Sequence, residues 1–551
     1  MQVRNLERVS WTQAAEHLIT SEHLNHRQSL VLQRVAQHIQ ITEDTNGQGN
    51  ENHQLLLYVG GSGGVGKSWL IQAFDKLFLR MEDQLSLCIT ASTGSAAANI
   101  NGRTIHSAVG LTIKGVCSKL IEDGLKRRWK EAKMLVLDEL SMVSGRLFHT
   151  VSKRLNFLRG HHDAENVYFG RVPVVMVLGD FAQFPPVSAN SVIFPAKLGA
   201  PRNQSPSGST EDAINISPRD ITAATEQLAG YKLFQKFTNV IILNEQMRAT
   251  DPELRVMLQE LRDGNPTEKY QNKLNDKVVD LETPVDWEEV RALTPTNATR
   301  WRLNMEAVVA FARARGQLVR IFISEHNWTD PNPMQRLPTI SFGDNSWTDV
   351  PGMFFYTDYM PVLTNKNQYP GLKLMNGTEF ITRGVIPGDS QKSGLCLGDD
   401  TIIHFGCPAG ILLEPQKTED IDVTGLPKGQ ILLTPDKITL KPSRNRFKFL
   451  TGECYRTGLP CTPAFALTDF KAQGRTFKKI LVELTSRLGG RGKIDPVSAY
   501  VCLSRCKTLA GIQLLNVVTR NDWMALGMPG KLRDVLDDLE GRSDLTLRRW
   551  L

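Results

Sequence analysis

A glycine-rich octet that ends in lysine and serine constrains this chain more than any other feature. It fits the spacing G-x-x-x-x-G-K-[ST], in which backbone N–H groups curl around phosphate oxygens and the following helix offers its positive end. We expect Lys67 to reach the β- and γ-phosphates of ATP, and the Ser68 hydroxyl to bind Mg²⁺. The loop consists of Gly61, Ser62, Gly63, Gly64, Val65, Gly66, Lys67 and Ser68.

The segments on either side of this loop have the hydrophobic patterns of a strand and a helix. Leu55–Val59 predicts a buried strand before the loop, and Trp69–Phe78 predicts a helix after it, which is the context that the motif requires. Further apolar runs predict a parallel sheet covered on both faces. These runs are Leu85–Thr90, Met134–Asp138, Val174–Gly179 and Val240–Leu243, with a helix at Ala223–Phe237 before the last.

Polar side chains follow two of these predicted strands. Asp138 and Glu139 close one apolar run, and we expect Asp138 to hold Mg²⁺ and Glu139 to orient or deprotonate the attacking water. Gln183 follows the next strand and is predicted to contact the γ-phosphate and report its loss. A strand that ends in Asp-Glu is also a common structural feature, and a turn glutamine can simply face solvent. These assignments therefore depend on the phosphate loop upstream.

A second α/β pattern indicates a second sheet, so the predicted fold class is α/β. Arg291–Leu293 predicts a strand, Ala298–Arg315 predicts a helix, and the pattern resumes at Ala464. Between them, over 322–460, dense turn dipeptides and short apolar runs predict a β-rich insertion. The stretch Ser188–Asp220 is rich in Ser, Pro, Asn and Gly, which is typical of an exposed loop.

Composition narrows the class of protein. The 551 residues carry a net charge of +7, which is compatible with a phosphate-backbone partner but does not decide it. No run approaches the roughly 18 to 20 apolar residues of a membrane helix, and the N-terminus has no apolar signal core. The eight cysteines lack zinc spacing and predict reduced thiols. We expect a soluble intracellular protein, nuclear or alternatively mitochondrial.

A series of motifs along the chain resembles that of a known protein family. In chain order they are Gln28, GGSGGVGKS, TASTGSAA, GRTIHS, LVLDELSMV, LGDFAQFPPV, LNEQMR, ALTDFKAQGRT and AYVCLSRCKTLAGI. The set resembles the Pif-one (petite integration frequency) helicases of superfamily one, class B, over about residues 20–520. The variant LTDFKAQG is most similar to the Helitron-associated branch and its stand-alone fungal relatives.

The resemblance implies two RecA-like P-loop NTPase lobes with parallel sheets, and a small Src-homology-three-like insertion in the second lobe. The implied divisions are a helical lead-in at 1–50, lobe one at 51–240 with a wedge subdomain at about 104–130 and a loop insertion at about 188–220, lobe two at 241–321 and 461–551, and the β-rich insertion at 322–460.

The resemblance also assigns roles to residues that spacing alone does not single out. Gln28 would read the adenine base, and the second lobe would direct Arg248 and Arg505 at the γ-phosphate. Gln473 and Gly474 would lie between ATP and DNA. The residues that match positions close to the DNA strand are Ser92, Thr93, His106, Lys471 and Thr476. Two residues depart from the usual pattern, because Phe470 and Arg27 stand where many members have His and Glu.

The function implied is an ATP- and Mg²⁺-dependent DNA helicase, moving 5′-to-3′, in recombination, repair or telomere maintenance. We expect single-stranded DNA and tailed duplexes as partners and a monomer as the working form. Two alternatives remain: a nucleic-acid-stimulated ATPase that translocates without unwinding, and a degenerate transposon-derived protein that binds nucleic acid without turning over ATP. The basic stretch around Lys126 and Arg127 suits either a DNA contact or a solvated helix face.

Overall fold

The structure, a computed structural model, shows two compact units. One comprises Met1–Thr250, Arg262–Gly264 and Met528–Leu551, and the other comprises Asp251–Leu261 and Asn265–Gly527. The structure describes residues 9–45, 54–112, 115–116, 119–161, 166–187, 189–195, 218–280, 284–345, 348–369, 372, 374–388, 394–415, 422–443, 447–486 and 493–551.

The first unit is built on a parallel sheet. Its elements begin with α1 (Trp11–Ser21), α2 (His26–Asp44), β1 (Leu55–Gly61), α3 (Lys67–Arg80), β2 (Leu87–Ala91), α4 (Gly94–Asn99), β3 (Arg103–Thr104), α5 (Ile105–Val109), β4 (Leu111–Thr112), β5 (Gly115–Val116), α6 (Lys119–Glu131), β6 (Met134–Asp138), α7 (Gly145–Leu158), β7 (Val174–Gly179), α8 (Pro218–Phe234) and β8 (Asn239–Leu243). Within the described ranges, the strand order is β3-β2-β6-β7-β1-β8, and every pairing in this sheet is parallel.

Both faces of this sheet are covered, which explains the apolar runs of its strands. Leu57 and Val59 of β1 lie in one hydrophobic core. Leu56 and Tyr58 of the same strand lie in a second core on the other face. Because alternate side chains of a strand point to opposite faces, a strand buried on both sides has few positions left for polar residues.

The predicted strands of the first unit are confirmed with small shifts in their bounds. The strand predicted from Leu85 begins two residues later, because Leu85 lies in a short 3-10 helix (Gln84–Ser86) and is 84% exposed. The predicted helix Ala223–Phe237 is α8, which lies a few residues earlier in the chain. The region predicted as a wedge subdomain contains α5, α6 and the β4–β5 hairpin. Of the predicted loop insertion, residues 188 and 196–217 lie outside the described residues.

The second unit combines a parallel sheet with the predicted β-rich insertion. Its elements are α9 (Pro252–Asp263, whose last two residues belong to the first unit), α10 (Glu268–Asn275), β9 (Val290–Thr294), α11 (Asn297–Ala314), β10 (Val319–Ile323), β11 (Glu325–Trp328), α12 (Arg336–Ile340), β12 (Met353–Tyr356), β13 (Pro361–Thr364), β14 (Glu379–Ile386), β15 (Gly394–Leu397), β16 (Thr401–Phe405), β17 (Gly410–Pro415), β18 (Ile431–Leu433), β19 (Asp436–Leu440), β20 (Cys454–Gly458), β21 (Cys461–Pro463), β22 (Ala466–Thr468), α13 (Asp469–Ala472), β23 (Lys479–Val482), α14 (Pro496–Leu503), β24 (Ile512–Leu514) and α15 (Arg520–Met524).

Among the described residues of this unit, the parallel sheet has the order β22-β9-β23-β24. The strands from β10 to β21 form three further sheets, β12-β10-β16-β15, β11-β20-β19 and β18-β17-β14-β13-β21. The pairings in these three sheets are antiparallel except for β10 with β16. A β-rich insertion is therefore confirmed, and its Src-homology-three-like character stays a prediction. No helix within the described ranges has both the length and the apolar character needed to cross a membrane.

The structure corrects two of the predicted domain boundaries. The second lobe was expected to begin at residue 241, but β8 pairs with β1 and the first unit extends to Thr250. All of 461–551 was expected in the second lobe, but Met528–Leu551 belongs to the first unit. The reason is the last helix, α16 (Gly530–Trp550), which packs on β8.

Helix α16 satisfies backbone groups along the outer edge of β8. The Ile242 N–H donates to Ser543 Oγ at 3.0 Å, and the Val240 N–H donates to Thr546 Oγ1 at 3.1 Å. Both hydroxyl residues are buried. On the same edge, the Arg27 guanidinium donates to the Ile242 carbonyl. An edge strand normally leaves such backbone groups unpaired, but here side chains form hydrogen bonds with them.

Thr546→Val keeps the shape of the side chain but removes the hydroxyl, which leaves the Val240 N–H buried without its partner. We expect the free energy of unfolding of the first unit to fall by about 1–3 kcal/mol, measured by urea unfolding followed through tryptophan fluorescence. Thr546→Ser retains the hydroxyl and is the matched control, for which we expect a smaller loss. Equal losses in the two variants would contradict the role of this hydrogen bond.

Candidate nucleotide site

The phosphate loop of the first unit connects the end of β1 to the start of α3. Gly61, Gly64 and Gly66 have φ angles of +145°, +95° and +86°. Residues other than glycine rarely adopt this region of backbone conformation. A Cβ at Gly66 would lie 2.3 Å from Nε2 of Gln28, and one at Gly64 would lie 2.3 Å from Oε1 of Gln246. The loop is thus a backbone cradle that only glycine can form.

Lys67, the first residue of α3, is the cationic side chain of this loop. Its Nζ donates to the Gly61 carbonyl at 2.6 Å and to the Ser62 carbonyl at 3.0 Å. Burial lowers the pKa of the Lys67 ammonium. Three carboxylates act in the opposite direction, those of Asp180, Glu139 and Asp138. The next residue, Ser68, is exposed.

The predicted acidic pair lies at the carboxyl end of β6. Asp138 is buried, and burial together with the neighbouring Glu139 raises the pKa of its carboxyl to about 7. Glu139 has a φ of +54°, and its backbone N–H donates to Asp138 Oδ1 at 2.9 Å. A divalent cation beside Asp138 would favour the charged carboxylate, since a positive charge lowers a neighbouring acid's pKa. The residues present therefore fit Mg²⁺, for which carboxylate and hydroxyl oxygens are suitable ligands.

The strand next to β6 ends in a second polar group, centred on Asp180. The buried Gln183 donates from Nε2 to Asp180 Oδ2 at 3.1 Å, and Arg262 donates from Nη1 to Asp180 Oδ1 at 2.8 Å. Burial alone would raise the pKa of the Asp180 carboxyl, but Arg262 and Lys67 outweigh it and lower that pKa below its ordinary value. Asp180 therefore holds the predicted sensor, Gln183, in place.

Sequence reasoning gave no role to Asp180 or to Arg262. Asp180 stands in the motif LGDFAQFPPV, and its burial is what distinguishes it from a turn aspartate. Arg262 lies 82 residues further along the chain, in an otherwise ordinary amphipathic helix, α9. No local pattern connects it to the site, because the contact depends on tertiary structure.

Gln28 lies against the phosphate loop and is fully buried. Its Oε1 accepts from the Asn25 N–H at 3.0 Å, and its Nε2 donates to the Gly66 carbonyl at 3.2 Å. Asn25 and Gln28 form a capping box at the start of α2, a pattern recognisable from the spacing Asn-x-x-Gln. Gln28 thus ties α2 to the loop, and its contact with adenine stays a prediction.

The segment after β8 also lies against the loop. Gln246 donates from Nε2 to the Gly63 carbonyl at 3.0 Å, and the Arg248 N–H donates to the Gly64 carbonyl at 3.1 Å. Arg248 therefore belongs to the unit that carries Lys67. The prediction that the second lobe supplies Arg248 is wrong, because β8 and the residues that follow it stay with the first sheet.

The remaining predicted nucleotide residues lie in the second unit. Arg505 follows α14 and is buried, with Nε donating to the Val501 carbonyl at 2.8 Å and Nη2 donating to Ser504 Oγ at 2.7 Å. Gln473 is buried at the end of α13, and Gly474 follows it with a φ of +78°.

The predicted DNA contacts divide between the two units. Ser92 and Thr93 follow β2, where Thr93 caps α4 by accepting from the Ala96 N–H at 3.2 Å. His106 lies exposed in α5. The predicted contacts in the second unit are Lys471, which lies in α13, and the exposed Thr476.

Lys471 is a partly buried amine with a polar neighbour. Its Nζ donates to Asn365 Oδ1 at 3.2 Å, and burial lowers its pKa to about 8, although Asp344 acts in the opposite direction. A lysine side chain with this pKa is only partly protonated, and therefore only partly charged, in mildly alkaline solution.

A family model and several known proteins match this chain. Residues 24–198 match the family model of the PIF1-like helicases. The ATP-dependent DNA helicase PIF1 of Emericella nidulans is 26% identical over 497 residues, covering 84% of this chain and 58% of that protein. The ATP-dependent DNA helicase RRM3 of Saccharomyces cerevisiae is 24% identical over 508 residues, covering 83% and 62%. The chain is similar to PIF1-like helicases along most of its length.

The chain spans about half to three-fifths of the length of the curated relatives it matches. The crystal structure of Pif1 helicase from Candida albicans has a TM-score of 0.57 at 21% identity, covering 94% of this chain and 99% of that chain. Bacteroides Pif1 bound to ssDNA gives a TM-score of 0.57 at 19% identity, covering 92% and 98%. At these identities the likeness shows the fold, which is that of the Pif1 structures.

The match to the PIF1-like helicase model includes Gln28, the whole phosphate loop, the acidic pair and Gln183. Arg248, Lys471 and Arg505 lie beyond it. The Helitron-associated or stand-alone fungal branch stays a prediction.

Gly66→Ala should lower the affinity for ADP by about tenfold or more, since strain at a left-handed position costs about 1–3 kcal/mol and 1.4 kcal/mol is a factor of ten. A fluorescent ADP analogue titrated against each variant measures the affinity. Gly124→Ala is the matched control, because a Cβ at Gly124 would meet nothing within 4 Å. Unchanged affinity in Gly66→Ala would show that the loop geometry does not matter.

Proposed function

We propose that this chain is an ATP-dependent DNA helicase that moves 5′-to-3′ on single strands and separates duplex DNA. The observation that carries the proposal is the electrostatic interaction of Lys67 with three carboxylates beside the glycine-rich loop. These carboxylates are those of Asp138, Glu139 and Asp180. Such a site suits phosphoryl transfer, which depends mainly on positioning and charge. The curated relatives that match most of this chain are named ATP-dependent DNA helicases.

The proposed chemistry assigns each residue of the first unit one task. The loop N–H groups and Lys67 bind the β- and γ-phosphates of ATP, and Glu139 accepts the proton of the attacking water. Ser68 and Asp138 would hold Mg²⁺, which supplies neutralisation of the phosphate charge when bound. Gln183 would contact the γ-phosphate.

Residues outside this group complete the proposed site. Gln28 would contact the adenine, and Arg248 and Arg505 would act on the γ-phosphate, where such an arginine is worth about 10³–10⁵ in rate. Gln473 and Gly474 would connect nucleotide and DNA.

DNA is the proposed partner. The Bacteroides relative was crystallised with ssDNA, and also with ADP-AlF3 and ssDNA together. We propose the same classes of ligand for this chain, held by phosphate contacts and stacking and therefore sequence-tolerant and sensitive to salt. The proposed contact residues are Ser92, Thr93, His106, Lys471 and Thr476. Roles in repair, recombination or telomere maintenance, and a nuclear or mitochondrial location, form part of the proposal.

The direct test measures ATP hydrolysis with and without single-stranded DNA over a salt titration, together with displacement of a strand from 5′-tailed and 3′-tailed duplexes. We expect stimulation by DNA that declines with salt, and displacement from the 5′-tailed substrate. Lys67→Ala should reduce hydrolysis to the level of a protein-free blank, because the phosphates lose their cation. Lys153→Ala, an exposed lysine on α7, is the matched control.

Each outcome of this test decides between functions. Hydrolysis of ATP without strand displacement would favour a translocating ATPase over a helicase. DNA binding without ATP hydrolysis would favour a degenerate nucleic-acid binder. Hydrolysis that survives Lys67→Ala would overturn the catalytic assignment.

Binding of single-stranded DNA should weaken as pH rises past about 8, because Lys471 of the DNA-free protein loses its charge above that pH. A DNA phosphate beside Lys471 would favour the charged form. Fluorescence anisotropy at pH 7 and pH 9 measures the change without ATP. Lys471→Met should show the lower affinity at both pH values and a smaller pH dependence than the wild type. An identical pH dependence in both proteins would remove Lys471 from the DNA contact.

A further inference from the structure

Asp180 is bonded on both of its carboxylate oxygens, and each bond leads to a different part of the site. Oδ1 accepts from Arg262 at 2.8 Å, and Oδ2 accepts from Gln183 at 3.1 Å. The Asp180 side chain is fully buried and that of Arg262 is 16% exposed. This is a largely desolvated ion pair, in which loss of one partner leaves an uncompensated charge.

The bond to Asp180 fixes the amide of Gln183. Nε2 of Gln183 is its donor, and within the described residues Oε1 is buried without a hydrogen-bond partner. A buried amide oxygen in this condition is costly unless a ligand or water satisfies it. Turning the amide would break the bond to Asp180, so the orientation of Oε1 depends on the position of that carboxylate.

We propose that Arg262 is a positioning residue for ATP hydrolysis, which neutralises and holds Asp180 so that Gln183 stays oriented. This inference rests on the proposed function and deepens it. Arg262 acts through the Asp180 carboxylate.

A double-mutant cycle tests the proposal. Arg262→Gln should lower kcat for ATP by about 10²-fold, the effect of displacing a positioned group by about 1 Å. Gln183→Ala should lower kcat as well, and Arg262→Gln added to it should cost no more than about twofold further, since residues that act as a unit are not additive. Arg262→Lys should recover part of the rate, because it keeps the charge but loses the planar fork.

Two comparisons separate positioning from simple loss of structure. Arg255→Gln, an exposed arginine on the same helix, is the matched control and should leave kcat unchanged. Asp180→Asn combined with Arg262→Gln removes both charges of the pair and should fold as well as the wild type by thermal unfolding, yet retain the low kcat. A low kcat in a protein of unchanged melting temperature cannot come from unfolding.

The results that would overturn the inference differ from those that would overturn the function. If the wild type hydrolyses ATP and the Arg262 and Gln183 effects multiply independently, Arg262 does not act through Gln183. A wild-type kcat in Arg262→Gln would likewise end the proposal. A wild type that hydrolyses no ATP, with or without DNA, would end the proposed function and this inference together.

Discussion

The structure of the first unit depends on a balance of buried charge at the ends of parallel strands. Three carboxylates and one guanidinium act on Lys67 within a site covered by apolar layers. Desolvated like charges repel strongly, so each acid needs a cation or a donor nearby. Arg262 serves Asp180, and the Glu139 N–H serves Asp138. The surplus of negative charge suits a site that takes a divalent cation with its nucleotide.

The loop and the strands around it could be predicted from the sequence, because each has a local signature. Parallel strands buried on both faces are apolar throughout, and a phosphate loop needs glycines at fixed spacing. The acidic pair could be predicted because it directly follows such a strand. Arg262 could not be predicted, since its place in α9 looks like any amphipathic position and its partner is distant in sequence. The burial of Gln28 was also missed, although its capping box with Asn25 was visible.

Domain boundaries were harder to predict than elements. The run Val240–Leu243 was recognised as a strand, but its sequence does not state which sheet it joins, and it pairs with β1. The β-rich insertion was predicted from dense turn dipeptides and short apolar runs. Its sheet order could not be, because antiparallel register depends on pairs of short strands that are distant along the chain. Arg456, fully buried and bonded to the carbonyl of Val350, shows that long-range polar contacts organise this region.

The helix that closes the edge of β8 has a consequence for how this protein can be divided. Ser543 and Thr546 lie hundreds of residues from the strand they serve. A fragment cut after the second unit would contain every nucleotide-binding motif and still present an open strand to its neighbours. Such edges recruit strands from other molecules. Recombinant truncations that remove α16 therefore act on self-association before they act on chemistry.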